Sequence, residues 1–171
     1  MKIYFDMDGV LADFRGGIIK LCGMDPKEQG TYDPVRDDMM FEAVRNTEGF
    51  YSRLEPITEG VCLFLDVWEI YKDDCQILTG IPKPSRNIPA AADNKTAWAK
   101  RIIGPDVTVN AVLRKEKPRF CTGPDCILID DYIANIKDWE KHGGTGILYT
   151  DAGTVARKLI KAGVHIAKNY R

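Results

Sequence analysis

The sequence predicts an α/β fold, a doubly wound parallel sheet with a small helical cap inserted into it, and three observations carry that expectation. Short apolar runs recur along the 171 residues and alternate with helical patterns, as parallel strands and their crossovers do. Several of these runs stop on Asp, Thr or Gly, the residue types that gather where strands end at a ligand crevice. The alternation is broken once, by roughly 60 residues between the first and second strands, far more than one crossover helix requires.

Ile3-Tyr4-Phe5 is the first strand, running into Asp6-Met7-Asp8-Gly9 and then an amphipathic stretch. The helical pattern from Phe14 through Ile18, Ile19 and Leu21 breaks at Asp25-Pro26. Residues 25–38 read as irregular, Met39 to Val44 as a short helix, and Phe50-Tyr51 as two aromatics ahead of a turn at Pro56. Val61, Leu63, Phe64, Leu65, Val67, Trp68 and Ile70 fit a buried helix capped by Thr58. Cys75 to Leu78 is the second strand, ending on Thr79-Gly80. After a Pro-rich loop, Asp93 or Asn94 can cap a helix through Trp98 to Ile103, which Gly104-Pro105 stops. Val107 to Val109 is the third strand and Arg114 to Phe120 a basic loop. Ile127 to Ile129 is the fourth strand, ending on Asp130-Asp131, and Gly146 to Tyr149 the fifth, with helices near Ile133–Lys141 and Thr154–Lys161. The expected division is a core of residues 1–13 and 76–171 with a cap of residues 14–75, whose last helix can instead pack on the core.

Composition narrows the function classes. A hydrophobic content of 44%, with 29% charged residues and a net charge of −1, describes a globular chain without the field that would hold a nucleic acid polymer or an anionic membrane. Cys22, Cys62, Cys75, Cys121 and Cys126 are odd in number and set mostly in apolar runs, the usage of reduced thiols in a cytoplasmic protein. Cys121 and Cys126 lack the C-x-x-C spacing and the nearby histidine of a zinc site. The start of the chain has no secretory pattern, and no apolar run approaches the length of a membrane span. His142 and His165 lie away from every strand end, and no chemistry is expected of them.

The chemistry is expected at the strand ends. Two carboxylates about 4 Å apart repel by about 4 kcal/mol at an effective dielectric near 20, so Asp6 and Asp8 ask for a cation or a proton, and magnesium is the candidate. Taken alone, Asp-x-Asp-Gly is also an ordinary turn. The full run Asp6-Met7-Asp8-Gly9-Val10-Leu11-Ala12-Asp13-Phe14, however, resembles the first motif of the haloacid dehalogenase superfamily of phosphatases, and more narrowly of the 5'(3')-deoxyribonucleotidases. Three further anchors follow in the order of that superfamily: Thr79-Gly80, a lysine, and Asp130-Asp131.

The resemblance implies a Rossmann-like core and a magnesium-dependent phosphomonoesterase. Asp6 would be the nucleophile that becomes phosphorylated, and Asp8 the acid and base for the leaving alcohol and the attacking water. Thr79 and Gly80 would meet phosphate oxygens, with Lys117, or Lys115 as runner-up, as the phosphate lysine. Lys95, ahead of Ala97-Trp98, resembles a second phosphate-region lysine and is also a normal helix-start residue. The metal set would be Asp6, the backbone carbonyl of Asp8, and Asp130 or Asp131, between which the sequence does not choose; Asn135 would support them from behind. Phe14, Phe50 and Tyr51 match places where the family sets aromatics around a nucleobase. The expected substrate is a deoxyribonucleoside monophosphate. A phosphatase of sugar phosphates or other small esters, and a catalytically silent nucleotide-binding regulator, are the alternatives; a homodimer is left open.

Overall fold

The computed structural model describes residues 1–26 and 33–167. Five strands form one parallel sheet: β1 (Lys2–Phe5), β2 (Cys75–Ile81), β3 (Val109–Leu113), β4 (Cys126–Asp130) and β5 (Thr145–Leu148), in the spatial order β3-β2-β1-β4-β5. β1 is therefore central, and the order reverses beside it, which is where a doubly wound sheet opens its crevice. The helices are α1 (Phe14–Cys22), α2 (Pro34–Arg45), α3 (Thr58–Tyr71), α4 (Ala91–Ile102), α5 (Ile133–Lys141) and α6 (Ala152–Lys161).

Strand alternation distributes the core over both faces. Ile3, Phe5, Ile77, Ile127 and Ile129 point to one side, where they meet Phe64 and Val67 of α3, Trp98 of α4, and Val155 and Leu159 of α6. Tyr4, Leu78, Cys126 and Leu128 point to the other, onto Ile136 and Trp139 of α5. This double burial is why the strands read as near-continuous apolar runs rather than alternating ones. α3 packs on β2 and α6, so the last helix of the 14–75 segment lies against the sheet. Its first turn comes very close to β1's loop: a Cβ at Gly60 would stand 1.9 Å from the Val10 carbonyl oxygen.

Several expected boundaries move. β3 covers Val109–Leu113 rather than 107–109, because Asn110, a poor strand former, is held in the edge strand by its amide, which donates to Gln76 Oε1 and the Ile77 carbonyl. The irregular stretch expected over 25–38 lies outside the described residues at 27–32; helix begins at Pro34, where Asp33 accepts from the Val35 N–H at 3.0 Å. α3 is preceded by Ile57 with no side-chain cap, and α4 starts at Ala91, so neither Thr58, Asp93 nor Asn94 serves as a cap; Asp93 sits in the first turn of α4, where the helix dipole favours it. α6 begins at Ala152 with Asp151 capping Thr154, and Arg114–Phe120 is a 3-10 helix rather than an open loop. Cys75 and Cys126 are buried and all five cysteines are free, but Cys62 is exposed on α3. No helix among the described residues is long and apolar enough to cross a membrane.

Candidate active site

The carboxyl end of β1 sets the frame. Asp6 extends the ladder through its N–H to Ile129, and the chain then folds back on itself, with the N–H groups of Leu11 and Ala12 both donating to the Met7 carbonyl at 2.8 Å. Gly9 takes φ +75, and a Cβ there would stand 2.2 Å from Asp131 Oδ2. Glycine at this position is thus what lets the loop after β1 and the loop after β4 approach each other.

Two buried lysines organise the acids into two groups. Lys117 Nζ lies 2.7 Å from Asp130 Oδ2 and 3.0 Å from Asp6 Oδ1, bridging the ends of β1 and β4. Asp130 is well held: Oδ2 also accepts from Asn135 Nδ2 at 2.8 Å, and Oδ1 accepts from the Tyr132 N–H at 2.9 Å. Burial and then the neighbouring Asp6 charge nevertheless push its carboxyl up to about 7. Burial works against the Lys117 charge, but Asp6 and Asp130 outweigh it and raise its pKa. Asp131 lines the cleft beside Gly9, and one of its carboxylate oxygens lies within 4.8 Å of one each from Asp6 and Asp130.

Lys95, fully buried in α4, makes the second group. Its ammonium donates to Asp8 Oδ2 at 2.6 Å, Thr79 Oγ1 at 3.0 Å and the Gly80 carbonyl at 2.8 Å, and it lies 4.8 Å from the centre of the Tyr51 ring. An ammonium has three protons. All are committed, so Lys95 holds Asp8 and Thr79 in place at the expected phosphate region. Burial, opposed by Lys95 and reinforced by Asp6, raises the Asp8 pKa, and among the described residues its buried Oδ1 meets no partner. A proton on Oδ1 would remove the cost of that orphaned charge.

Asp6, Asp8, Gly9, Gly80, Lys117 and Asp131 line one end of a cleft of about 490 Å³. Thr79 lies fully buried just beneath it; because its hydroxyl accepts from Lys95, its own proton remains to donate. The other end is walled by Phe14, Tyr51, Met40 and Phe41. The Phe14 and Tyr51 rings are nearly parallel, 9° apart in plane with centroids at 6.2 Å. Phe50 is different from its neighbour: it packs edge-on against both rings, and it lines a second cavity of about 460 Å³ on the far side, with Gly17 and Leu54. Adjacent residues on a 3-10 turn point in different directions, so the two aromatics do not share one slot. Lys115 is exposed and away from the cleft lining, whereas Arg15, Asp37 and Arg114 line it and were not singled out by the sequence. Arg114 belonged to the basic run that pointed to Lys117; nothing local signals Arg15 or Asp37.

The carboxylate set fits a hard divalent cation. Asp6, Asp130 and Asp131 can each bring one carboxylate oxygen within 4.8 Å of the others, the hard oxygen ligands that magnesium takes.

No family model matches the chain. It is similar to the human mitochondrial 5'(3')-deoxyribonucleotidase, 27% identical over 149 residues covering 77% of this chain and 62% of that protein. The mouse mitochondrial 5'(3')-deoxyribonucleotidase is 26% identical over 149 residues, with 77% and 64% covered. The chain thus spans a little under two thirds of the length of these relatives.

Proposed function

We propose that this protein is a magnesium-dependent phosphomonoesterase of deoxyribonucleoside monophosphates that works through a phosphorylated Asp6. The observation that carries the reading is the meeting of Asp6, Lys117 and Asp131 at the open end of β1, with Asp8 held beside them by a separate buried lysine. The similarity to deoxyribonucleotidases supports the substrate class.

Asp6 and Asp131, with the Asp8 backbone carbonyl, would hold the magnesium ion, which when bound would offset phosphate charge. Asp130 would serve by fixing Lys117. The donors that reach Asp6 among the described residues, the Met7 N–H at 2.8 Å and Lys117 at 3.0 Å, both meet Oδ1. One oxygen of the Asp6 carboxylate would hold the metal and the other attack phosphorus. As the P–O bond to the alcohol breaks, Asp8, whose raised pKa favours the protonated form, gives its proton to the departing oxygen. The resulting carboxylate then takes a proton from water, which attacks the acyl phosphate and restores Asp6. Lys117 offsets phosphoryl charge, and Thr79 and the Gly80 N–H are donors for phosphoryl oxygens. At the other end, the parallel Phe14 and Tyr51 rings suit a flat nucleobase.

The test is a panel of deoxyribonucleoside monophosphates, sugar phosphates and p-nitrophenyl phosphate, with magnesium and with a chelator. The reading expects magnesium-dependent release of phosphate with nucleotides preferred. Preference for sugar phosphates would overturn the substrate class, and binding without turnover of any ester would overturn the enzymatic reading.

A further inference from the structure

The helix α2 closes the substrate end of the cleft but is weakly anchored by apolar contact. Of its twelve residues only Met40 and Val44 are buried, while Val35 and Met39 are exposed. Its main neighbours are α1, from the same 14–75 segment, and the short turn Pro84–Arg86 that follows β2. Among the described residues, one side chain of that turn makes several charged contacts with α2. The Arg86 guanidinium forms ion pairs with Asp37 through one nitrogen and with Asp38 through another, and it lies 4.8 Å from the centre of the Phe41 ring. Asp37 and Phe41 both line the cleft, so Arg86 grips the outer side of residues whose inner side meets the site.

The turn that presents Arg86 is stiff. Pro84 starts it, the Arg86 N–H donates to the Lys83 carbonyl at 2.9 Å, and the Asn87 N–H donates to the Pro84 carbonyl at 3.0 Å. Asn87 closes the turn with φ +51, a conformation asparagine tolerates better than most residues. A planar fork with two acids and an aromatic face in reach loses little freedom on binding, which a lysine at this position would not match.

We infer that Arg86 is a positioning residue: it clamps α2 over the cleft so that Asp37, Met40 and Phe41 complete the wall around the leaving-group end of the substrate. The inference rests on the nucleotidase reading for the identity of that end, but the clamp itself does not. A small aryl phosphate has no group long enough to need this wall, whereas a nucleoside does.

The experiment compares wild type, Arg86→Ala, Arg86→Lys and Asp38→Asn, the last a change outside the cleft. Amide hydrogen exchange over residues 37–45 is measured together with KM and kcat for a deoxyribonucleotide and for p-nitrophenyl phosphate. Arg86→Ala is expected to speed exchange in α2 roughly tenfold, with α4 and α6 unchanged. It should also raise the nucleotide KM about 3- to 10-fold, with kcat and the aryl phosphate constants nearly unaltered. Arg86→Lys should recover only part of the effect, and Asp38→Asn should show a smaller change of the same kind. Raising salt should increase the nucleotide KM more steeply in wild type than in Arg86→Ala. Unchanged exchange in both Arg86→Ala and Asp38→Asn would overturn the clamp even if nucleotides prove to be substrates. Faster exchange in a protein that turns over no nucleotide would uphold the clamp and overturn the functional reading instead. Should Arg86→Ala not fold, Asp38→Asn decides by the same exchange measurement.

Discussion

The two ends of the cleft are held by opposite means. At the strand ends, the buried Lys95 and Lys117 hold Asp6, Asp8 and Asp130 through short hydrogen bonds and ion pairs. At the far end, α1 and α2 reach across the site on a few apolar contacts and on partly exposed ion pairs such as that of Arg86 with Asp38. Buried charge pairs are rigid and costly to disturb, while exposed ones contribute about 0–1 kcal/mol each. Such a molecule has one end built for a fixed reaction and another able to adjust to what it receives.

The comparison breaks most visibly at Asp6. Asp6→Asn should lower kcat by roughly four orders of magnitude or more while the melting temperature and circular dichroism stay close to wild type. Substantial remaining turnover would remove Asp6 from the chemistry. Lys117→Met tests rigidity rather than reaction: it leaves Asp6 and Asp130 buried without their shared cation, and urea denaturation should show a loss of about 3–5 kcal/mol. A loss below about 1 kcal/mol, the scale of a surface pair, would mean the two ends are not so different.

Acidity provides a third test. The folded Asp130 pKa of about 7 is above the ordinary carboxylate value of 3.8, and Asp8 is shifted in the same direction. A raised folded pKa contributes stability below the unfolded value and loses it as pH rises through the folded one. Metal-free protein should therefore melt at a lower temperature at about pH 8 than at about pH 5, and magnesium should restore stability at the higher pH. A melting temperature that rises over this interval without metal would contradict the assigned direction. The smallest expected effect lies at the adjustable end: Tyr51→Ala should raise the nucleotide KM roughly tenfold with little change for p-nitrophenyl phosphate, and more than Phe50→Ala, which acts only through packing. Equal effects of the two would place Phe50 in the slot after all.

This same contrast decides what could be read from the chain alone. That Asp6, Thr79 and Asp130 stand at strand ends is legible because each follows an apolar run buried on both faces, while the reading of Asp8 and Asp131 beside them rests on the resemblance of the longer motifs. The role of Lys95 was not: its burial and its three acceptors come from β1's loop and β2, and a helical lysine carries no local mark of that. β3 was placed too early because Asn110 interrupts the apolar run, and only Gln76 and Ile77 on the neighbouring strand explain its place. Phe50 and Tyr51, adjacent in the chain, part company on a 3-10 turn that sequence spacing does not resolve. Arg86 and its two acids lie far apart in the chain and meet only once the helices of residues 14–75 are folded over the site.

The central claim is that Asp6 receives the phosphoryl group and Asp8 governs both proton transfers. An Asp8→Asn variant given p-nitrophenyl phosphate, whose leaving group needs no proton, isolates it. The account predicts a burst of about one equivalent of p-nitrophenolate followed by slow turnover, with an acyl phosphate mapped to the peptide carrying Asp6 after acid quench. Release of p-nitrophenolate with no phosphorylated residue, or with phosphate on a side chain other than Asp6, would contradict it.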